Sequence, residues 1–250
     1  MKTGFAIAAL TLAVAAPAHA ELKIDPAQVR SGYFQAPECT PTAAPQQYNE
    51  CICQADIRKA QVSGVDAPVA AAINKQLALV PEQLAGESCE GAAVAQPTGP
   101  VTNFNSAKAA FDVAFQSPTV LTVLVTYSTY GAGAAHPLDG TEGFTFDLKT
   151  GKMIEPIKAL TPLQLATANN FVQKELLKKY GDKLFDEVKV RTDPFLSEAG
   201  CDTCTLFYGK DGWTLRFQLY AIAPYAVGEP EIVFPAEIIP APDAPPVAKS

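Results

Sequence analysis

The sequence predicts an α+β fold, in which two helices pack on a mainly antiparallel sheet that is stabilised by disulfides. Three observations support this prediction. Apolar and polar side chains alternate over the eight residues that begin at Trp213, which is the period of a half-buried strand. A segment that begins at Thr161 carries the signals of a helix N-terminus. Six cysteines follow a predicted export signal, and thiols in an oxidising compartment form bridges.

Residues 1–20 are typical of a secretory signal peptide. One Lys precedes an apolar run, and Ala18-His19-Ala20 forms the expected cleavage site. The chain after Ala20 would hold 18 Lys and Arg against 26 Asp and Glu, a formal charge of −8, and a single histidine, His136. Glu21 rather than a lipid-accepting Cys follows the site, and no later apolar run is long enough to span a membrane. We therefore expect a soluble periplasmic or secreted protein without a membrane span.

The acidic balance restricts the class of partner. Nucleic-acid binding requires Lys and Arg to replace the counterions of phosphates, and this chain has few basic clusters. We expect no nucleic-acid partner. A basic protein or a neutral glycan of the cell envelope fits the composition.

Residues 21–100 are predicted to form an N-terminal lobe. Residues 21–47 lack clear periodicity and are interpreted as an extended lead-in, and a strand is predicted over 51–62. A helix is predicted over Ala67–Val80, with Asp66 as its N-cap and Pro81 beyond its end.

Four cysteines belong to this lobe. In an extended strand Cys51 and Cys53 project from the same face, so each is expected to pair with Cys39 or Cys89 rather than with its neighbour. The pairing stays open at this point. A structural zinc site is not expected, because distant partners around a C-x-C pair do not match the usual ligand spacing.

Residues 101–239 are predicted to form a C-terminal α+β domain. Thr161, Pro162 and Gln164 provide a capping box and a favourable first turn for a helix that Gly181 ends. The remaining elements are predicted strands at Ala110–Gln116 and Thr119–Tyr130, a hairpin over 143–154 that turns at 149–152, strands at 205–208 and 213–222 joined by 209–212, and an edge strand over 231–239. Residues 240–250 are predicted to be a Pro-rich disordered tail.

Two motifs in this domain resemble a known family. They are a Tyr followed by a Gly/Ala-rich turn that ends in His136-Pro137, and the segment Tyr-x-Ile-Ala-Pro-Tyr-x-x-Gly from Tyr220 to Gly228. Together, across about Ala110 to Ile239, they resemble the RsiV-like extracytoplasmic domain family, a domain of unknown function also found beside PdaC-type peptidoglycan deacetylases. The resemblance implies a binding module, since RsiV uses its domain to bind lysozyme. A metal-dependent deacetylase needs at least two histidines, and the chain after Ala20 has one, so that activity is not implied.

His136 is the main candidate site residue. It could act as a general base or a ligand contact, oriented by Asp139 or Tyr130. The structural interpretation is that its ring bonds loop carbonyls while Gly131 and Gly133 shape the turn. We favour a shaped turn that lines a binding surface, because no nucleophile accompanies the histidine in a known motif.

The second candidate is the pair Cys201 and Cys204. A thioredoxin-type pair lies at a helix N-terminus after a strand, whereas this pair precedes a strand. A disulfide that ties the loop is therefore favoured, and a redox or envelope-stress role is an alternative.

The third candidate is the group Tyr220, Pro224 and Tyr225, which forms either an exposed aromatic surface, since tyrosines are frequent interface anchors, or the closure of the core at a sheet edge. The leading functional prediction is an exported binding module of the cell envelope that contacts a lysozyme-like protein or peptidoglycan. The alternative is a hydrolase that uses either His136 with Asp139 or a pair of carboxylates. No metal and no cofactor are expected.

Overall fold

The computed structural model describes residues 21–38, 49–94 and 104–242. It consists of a six-stranded sheet in the order β3-β1-β2-β4-β5-β6 and a three-stranded sheet in the order β7-β8-β9. The first sheet contains β1 (Lys23–Gln35), β2 (Asn49–Ser63), β3 (Ala92–Val94), β4 (Phe104–Gln116), β5 (Val120–Tyr130) and β6 (Leu138–Asp147); the second contains β7 (Cys204–Gly209), β8 (Gly212–Phe217) and β9 (Glu231–Val233). The helices are α1 (Ala67–Glu87), α2 (Pro162–Tyr180) and the single-turn α3 (Asp186–Lys189), with 3-10 turns at Pro156–Ala159, Gly181–Lys183 and Tyr225–Val227.

This architecture confirms the predicted α+β fold. Every strand pair is antiparallel except β2 with β4, which run parallel because α1 and β3 lie between them in the chain. None of the helices in the described ranges is long and apolar enough to cross a membrane. The boundary predicted at residue 100 lies outside those ranges, and the division into two units stays a prediction.

Strand β1 replaces the first part of the lead-in that was predicted for residues 21–47; the part from residue 39 onward lies outside the described residues. The strand pairs with β2 from Lys23 opposite Ser63 to Gln35 opposite Ile52. A bulge between Gln28 and Arg30 shifts the register, and this shift interrupts the alternation that would have marked a strand in the sequence. The side-chain amide of Gln28 secures the bulge, because its Nε2 donates to the backbone carbonyls of Arg30 and Ile57, both at 2.8 Å.

Helix α1 begins where it was predicted but continues through Pro81 to Glu87. Asp66 occupies the N-cap position without a side-chain capping bond. The predicted end at Pro81 was wrong because the buried side chains continue beyond it. Val69, Ile73 and Leu77 precede Pro81, and Leu84 and Ala85 follow it, on the buried side of the helix. The free energy gained by packing the helix on the sheet thus outweighs the cost of the backbone hydrogen bond that Pro81 cannot make.

Helix α2 confirms the predicted capping box. The Gln164 amide donates to Thr161 Oγ1 at 3.3 Å, and the Thr161 amide donates to Gln164 Oε1 at 2.9 Å. Gly181 follows the last residue, as predicted. Ala168, Val172 and Leu176 are buried in one core with the second sheet.

The second sheet differs from the prediction in its extent. Strand β8 ends at Phe217 rather than at residue 222, because Gln218 turns toward β6 and Tyr220 adopts a positive φ of 62°. The edge strand β9 covers only Glu231–Val233. Pro240, at the start of the predicted tail, accepts a bond from Trp213 Nε1 at 2.9 Å, and residues 243–250 lie outside the described residues.

The predicted hairpin over 143–154 has only one regular strand. Strand β6 supplies its first arm and begins earlier than expected, at Leu138. The second arm is reduced to an isolated bridge between Phe146 and Met153, with the turn closed by the Asp147 amide on the Lys152 carbonyl at 3.0 Å.

The outer edge of β6 joins the two sheets. Gln218 accepts from the Thr141 amide at 3.2 Å and donates to the Thr141 carbonyl at 2.6 Å. Thr205 Oγ1 accepts from the Gly143 amide at 2.8 Å. Side chains of the second sheet thus satisfy backbone groups that an edge strand would otherwise leave unpaired.

Candidate functional site

The loop that carries His136 connects β5 to β6 and has a defined shape. Tyr130 Oη donates to the Ala134 carbonyl at 3.0 Å, and the Ala132 amide donates to Asn105 Oδ1 at 2.8 Å. Gly133 has a φ of 86°, a conformation that L side chains rarely adopt. Tyr130 therefore fixes the loop. It does not orient His136 through a hydrogen bond, as was predicted among the alternatives, because its hydroxyl bonds Ala134.

Both nitrogens of His136 are engaged. Nδ1 lies 2.9 Å from the Pro137 carbonyl, and Nε2 lies 2.9 Å from Tyr220 Oη. A carbonyl can only accept, so Nδ1 carries a proton and, in the neutral ring, Nε2 accepts from the tyrosine hydroxyl. This tautomer is assigned from the hydrogen-bond pattern. The arrangement is the loop-carbonyl contact that the structural interpretation expects.

Two tyrosines stack with the imidazole. The ring centroids of His136 and Tyr225 are 3.9 Å apart with an interplanar angle of 23°, and those of His136 and Tyr220 are 5.9 Å apart at 26°. We call these three residues the His136 cluster. Its members come from two segments, the β5–β6 loop and the segment after β8, and Tyr220 is separated from His136 by 84 residues.

The His136 cluster lies at the surface and is held in one geometry. Tyr220 is 46% exposed, and His136 and Tyr225 are half-buried. Tyr220 is the only non-glycine among the described residues with positive φ. That conformation costs free energy and persists only where surrounding contacts determine it. Pro224 is exposed beside the cluster and precedes the 3-10 turn that carries Tyr225.

Asp139 does not complete a catalytic pair. It lies on β6 opposite Ser128 and lines an open depression with Arg58, Lys108 and Glu229. Within the described residues it makes no hydrogen bond to His136, whose two nitrogens have other partners. The hydrolase alternative therefore gains no support from this geometry.

The cysteines follow the predicted pattern where the structure describes them. Cys53 is bonded to Cys89, which joins β2 to the segment after α1, and Cys201 is bonded to Cys204, the first residue of β7. Cys51 is also disulfide-bonded, and Cys39 lies outside the described residues. A redox role for Cys201 and Cys204 stays a prediction.

One acidic residue was missed by the sequence analysis. Glu142 shares a face of β6 with Phe144 and Phe146, so a carboxylate lies where the alternation of the strand calls for an apolar side chain. Burial, and next the charge of Glu229, raise the pKa of Glu142 above its ordinary value. Burial also raises the pKa of Tyr127, with smaller contributions from both carboxylates. The sequence could have revealed Glu142, because it occupies the position two residues before Phe144 where the period of a half-buried strand predicts an apolar side chain.

No group of three or more His, Cys, Asp or Glu side chains within the described ranges is arranged to hold a metal ion.

Comparison with known proteins relates the C-terminal third of the chain to a family. A family of proteins of unknown function (DUF3298) matches residues 160–237. No curated protein matches the chain. A crystal structure of a DUF3298 family protein from Pseudomonas aeruginosa PAO1 is 18% identical, covers 88% of this chain and 93% of its own, and superposes with a TM-score of 0.54. A DUF3298 family member from Bacteroides fragilis NCTC 9343 is 16% identical, covers 88% and 92%, and has a TM-score of 0.55. At these identities the likeness is one of fold.

Proposed function

We propose that the chain is an exported binding module of the cell envelope, related to the RsiV-like domains, that engages a basic protein of the lysozyme class. The observation that carries this proposal is the His136 cluster. It holds three rings together through two hydrogen bonds to His136, with Tyr220 exposed and the other two rings half-buried.

Such a cluster suits binding better than catalysis. Tyrosine offers an apolar face with a polar tip, and rings already held in place lose little conformational freedom when a partner docks. Leu138, two residues after His136 in the chain, adds an exposed apolar side chain. Clusters of this kind frequently supply the few side chains that dominate an interface.

Charge supports a basic partner. The chain after the predicted cleavage would have a formal charge of −8, and lysozymes of the common animal type are basic. Opposite charge raises the rate of encounter and disfavours acidic competitors.

The predicted signal peptide and the disulfides support export. Cys53–Cys89 and Cys201–Cys204 bridges are typical of an oxidising compartment. The resemblance in the segments around His136 and Tyr220 to Gly228 supports the RsiV-like relation.

Calorimetric titration of the oxidised chain with a c-type lysozyme tests the proposal, with lysozyme activity followed in parallel. We expect a micromolar or tighter dissociation constant that survives physiological salt. Tyr225→Ala should weaken binding about tenfold or more, because it removes the ring stacked on His136. Tyr33→Ala, at a half-buried tyrosine on β1, is the matched control and should leave binding unchanged.

Absence of lysozyme binding would overturn the proposed partner. Peptidoglycan fragments then become the next titrant, since stacked rings also accept sugar faces. His136→Ala with retained fold and a lost hydrolytic activity would favour the hydrolase alternative instead.

A further inference from the structure

A cavity of about 210 Å³ lies between β6 and the loop that the Cys201–Cys204 disulfide closes. Its base is apolar and includes the buried side chains Phe144, Ile157 and Leu196. Pockets for drug-sized ligands measure about 300–1,000 Å³, so this cavity suits a ligand the size of one long side chain.

The charged groups that line the cavity are mostly acidic. Glu142, Glu155 and Glu198 contribute three carboxylates, and Lys158 contributes one ammonium group. Lys158 is already paired with Glu155 at 2.7 Å. Glu142 and Glu198 are left to set the sign of the potential, which attracts cations and repels anions.

Glu142 differs from Glu198, the other lining carboxylate that is unpaired among the described residues, in its burial, since Glu198 is exposed. Glu142 is half-buried on β6, and no donor in the described part of the chain bonds to it. Burial raises its pKa, with a further contribution from Glu229, so its charged form is poorly stabilised in the absence of a ligand. A carboxylate in this state gains from any cation that reaches it.

We propose that this cavity binds an ammonium or guanidinium group carried on an apolar stem, with the cation against Glu142 and the stem against Phe144, Ile157 and Leu196. Two sources share this chemistry. One is a Lys or Arg side chain of a bound protein, which would rest on the proposed function. The other is a free organic amine, which would not.

Met153 offers a site-specific probe. It lines the cavity, and the only other methionine in the sequence is Met1, within the predicted signal peptide. Methyl-labelled methionine in the oxidised chain therefore gives one NMR signal from the cavity. Hexylamine, which is charged at neutral pH, should shift this signal saturably, and the neutral analogue 1-hexanol should bind more weakly.

Glu142→Gln tests the role of the carboxylate at nearly constant shape. It should weaken hexylamine about tenfold and leave 1-hexanol unchanged, because only the charged ligand loses an ionic hydrogen bond. Glu187→Gln, at an exposed carboxylate on α3, is the matched control and should behave as wild type. Ala199→Trp, at the exposed rim, should fill the cavity and abolish the response to both ligands.

The proposal would be overturned if hexylamine left the Met153 signal unshifted. It would also be overturned if hexylamine and 1-hexanol bound with equal affinity and Glu142→Gln changed neither affinity. If Glu142→Gln weakens the binding of lysozyme, a Lys or Arg side chain of the partner protein is the source of the cation. A free amine is identified as the source if hexylamine binds but lysozyme does not. The same conclusion follows if both bind and Glu142→Gln leaves the affinity for lysozyme unchanged. Tyr225→Ala should weaken lysozyme alone, which separates failure of the proposed function from failure of this one.

Discussion

Single residues in this protein carry conformational and electrostatic costs that the fold offsets elsewhere. Tyr220 adopts a positive φ of 62° while its hydroxyl bonds His136 and its ring faces Tyr225. Glu142 lies among apolar neighbours on β6 with a raised pKa. Both residues border a candidate binding surface, where such costs are commonly concentrated.

Replacement of Glu142 should change how stability depends on pH. The native state holds the Glu142 proton more tightly than the unfolded chain, since burial and Glu229 raise the pKa of this residue. The free energy of unfolding therefore falls as pH rises from the unfolded pKa through the folded pKa, and then levels off. We expect Glu142→Gln to be more stable than wild type at neutral pH, with the difference shrinking as the pH is lowered through the folded pKa.

Urea unfolding over roughly pH 4 to 7 measures this difference. Glu187→Gln is the control and should track wild type throughout. A stability gain of Glu142→Gln that stays constant across the series would contradict the assigned cause.

At the scale of elements, α1 shows tertiary packing prevailing over a local stop signal. Pro81 lies inside the helix and is buried with Leu77 and Leu84. An interior Pro costs about 3 kcal/mol relative to Ala, while its ring contributes two more buried carbons than Ala, or about 1.6 kcal/mol. The helix thus forms despite Pro81, supported by Asn74, whose side chain bonds both backbone groups of Val62.

Pro81→Ala should therefore stabilise the protein by about 1 kcal/mol, because the recovered backbone bond outweighs the lost ring contacts. The denaturant midpoint measures the gain. Pro68→Ala, in the first turn of the same helix, is the matched control and should give no gain, because that position needs no amide donor. A loss of stability in Pro81→Ala would show that ring packing is the larger effect.

The elements that sequence predicted are those whose signals are local. The capping box at Thr161 and the period-two strand from Trp213 needed only neighbouring residues. Strand β1 was missed because its bulge hides the period, and the end of α1 because Pro81 is compensated across the core. For the site, the sequence singled out His136, Tyr220 and Tyr225 but could not predict their contact, since nothing local couples residues 84 apart.

At the scale of the whole molecule, the contact between the two sheets leaves no room for a side chain at Gly143. A Cβ added to Gly143 on β6 would lie 2.6 Å from the Cβ of Phe207 on β7. The contact between the sheets therefore requires glycine at this position for reasons of space.

Gly143→Ala should destabilise the protein by about 1–3 kcal/mol, because β7 must move away from β6 to admit the methyl group. Gly86→Ala, at an exposed position in α1 where a Cβ would meet nothing within 4 Å, is the matched control. It should stabilise by about 0.5–1 kcal/mol through helix propensity. Thermal unfolding compares the two variants, and a neutral Gly143→Ala would mean that the sheets can separate without cost.

The covering of β6 by Thr205 and Gln218 has a consequence for biosynthesis. Their partners, Gly143 and Thr141, are made 62 and 77 residues earlier in the chain. In an exported chain that folds after leaving the ribosome, β6 can form its strand before the residues that cover it have folded. Until the second sheet docks, each molecule carries an uncovered strand able to pair with another chain, so this interval is the one most exposed to misassembly.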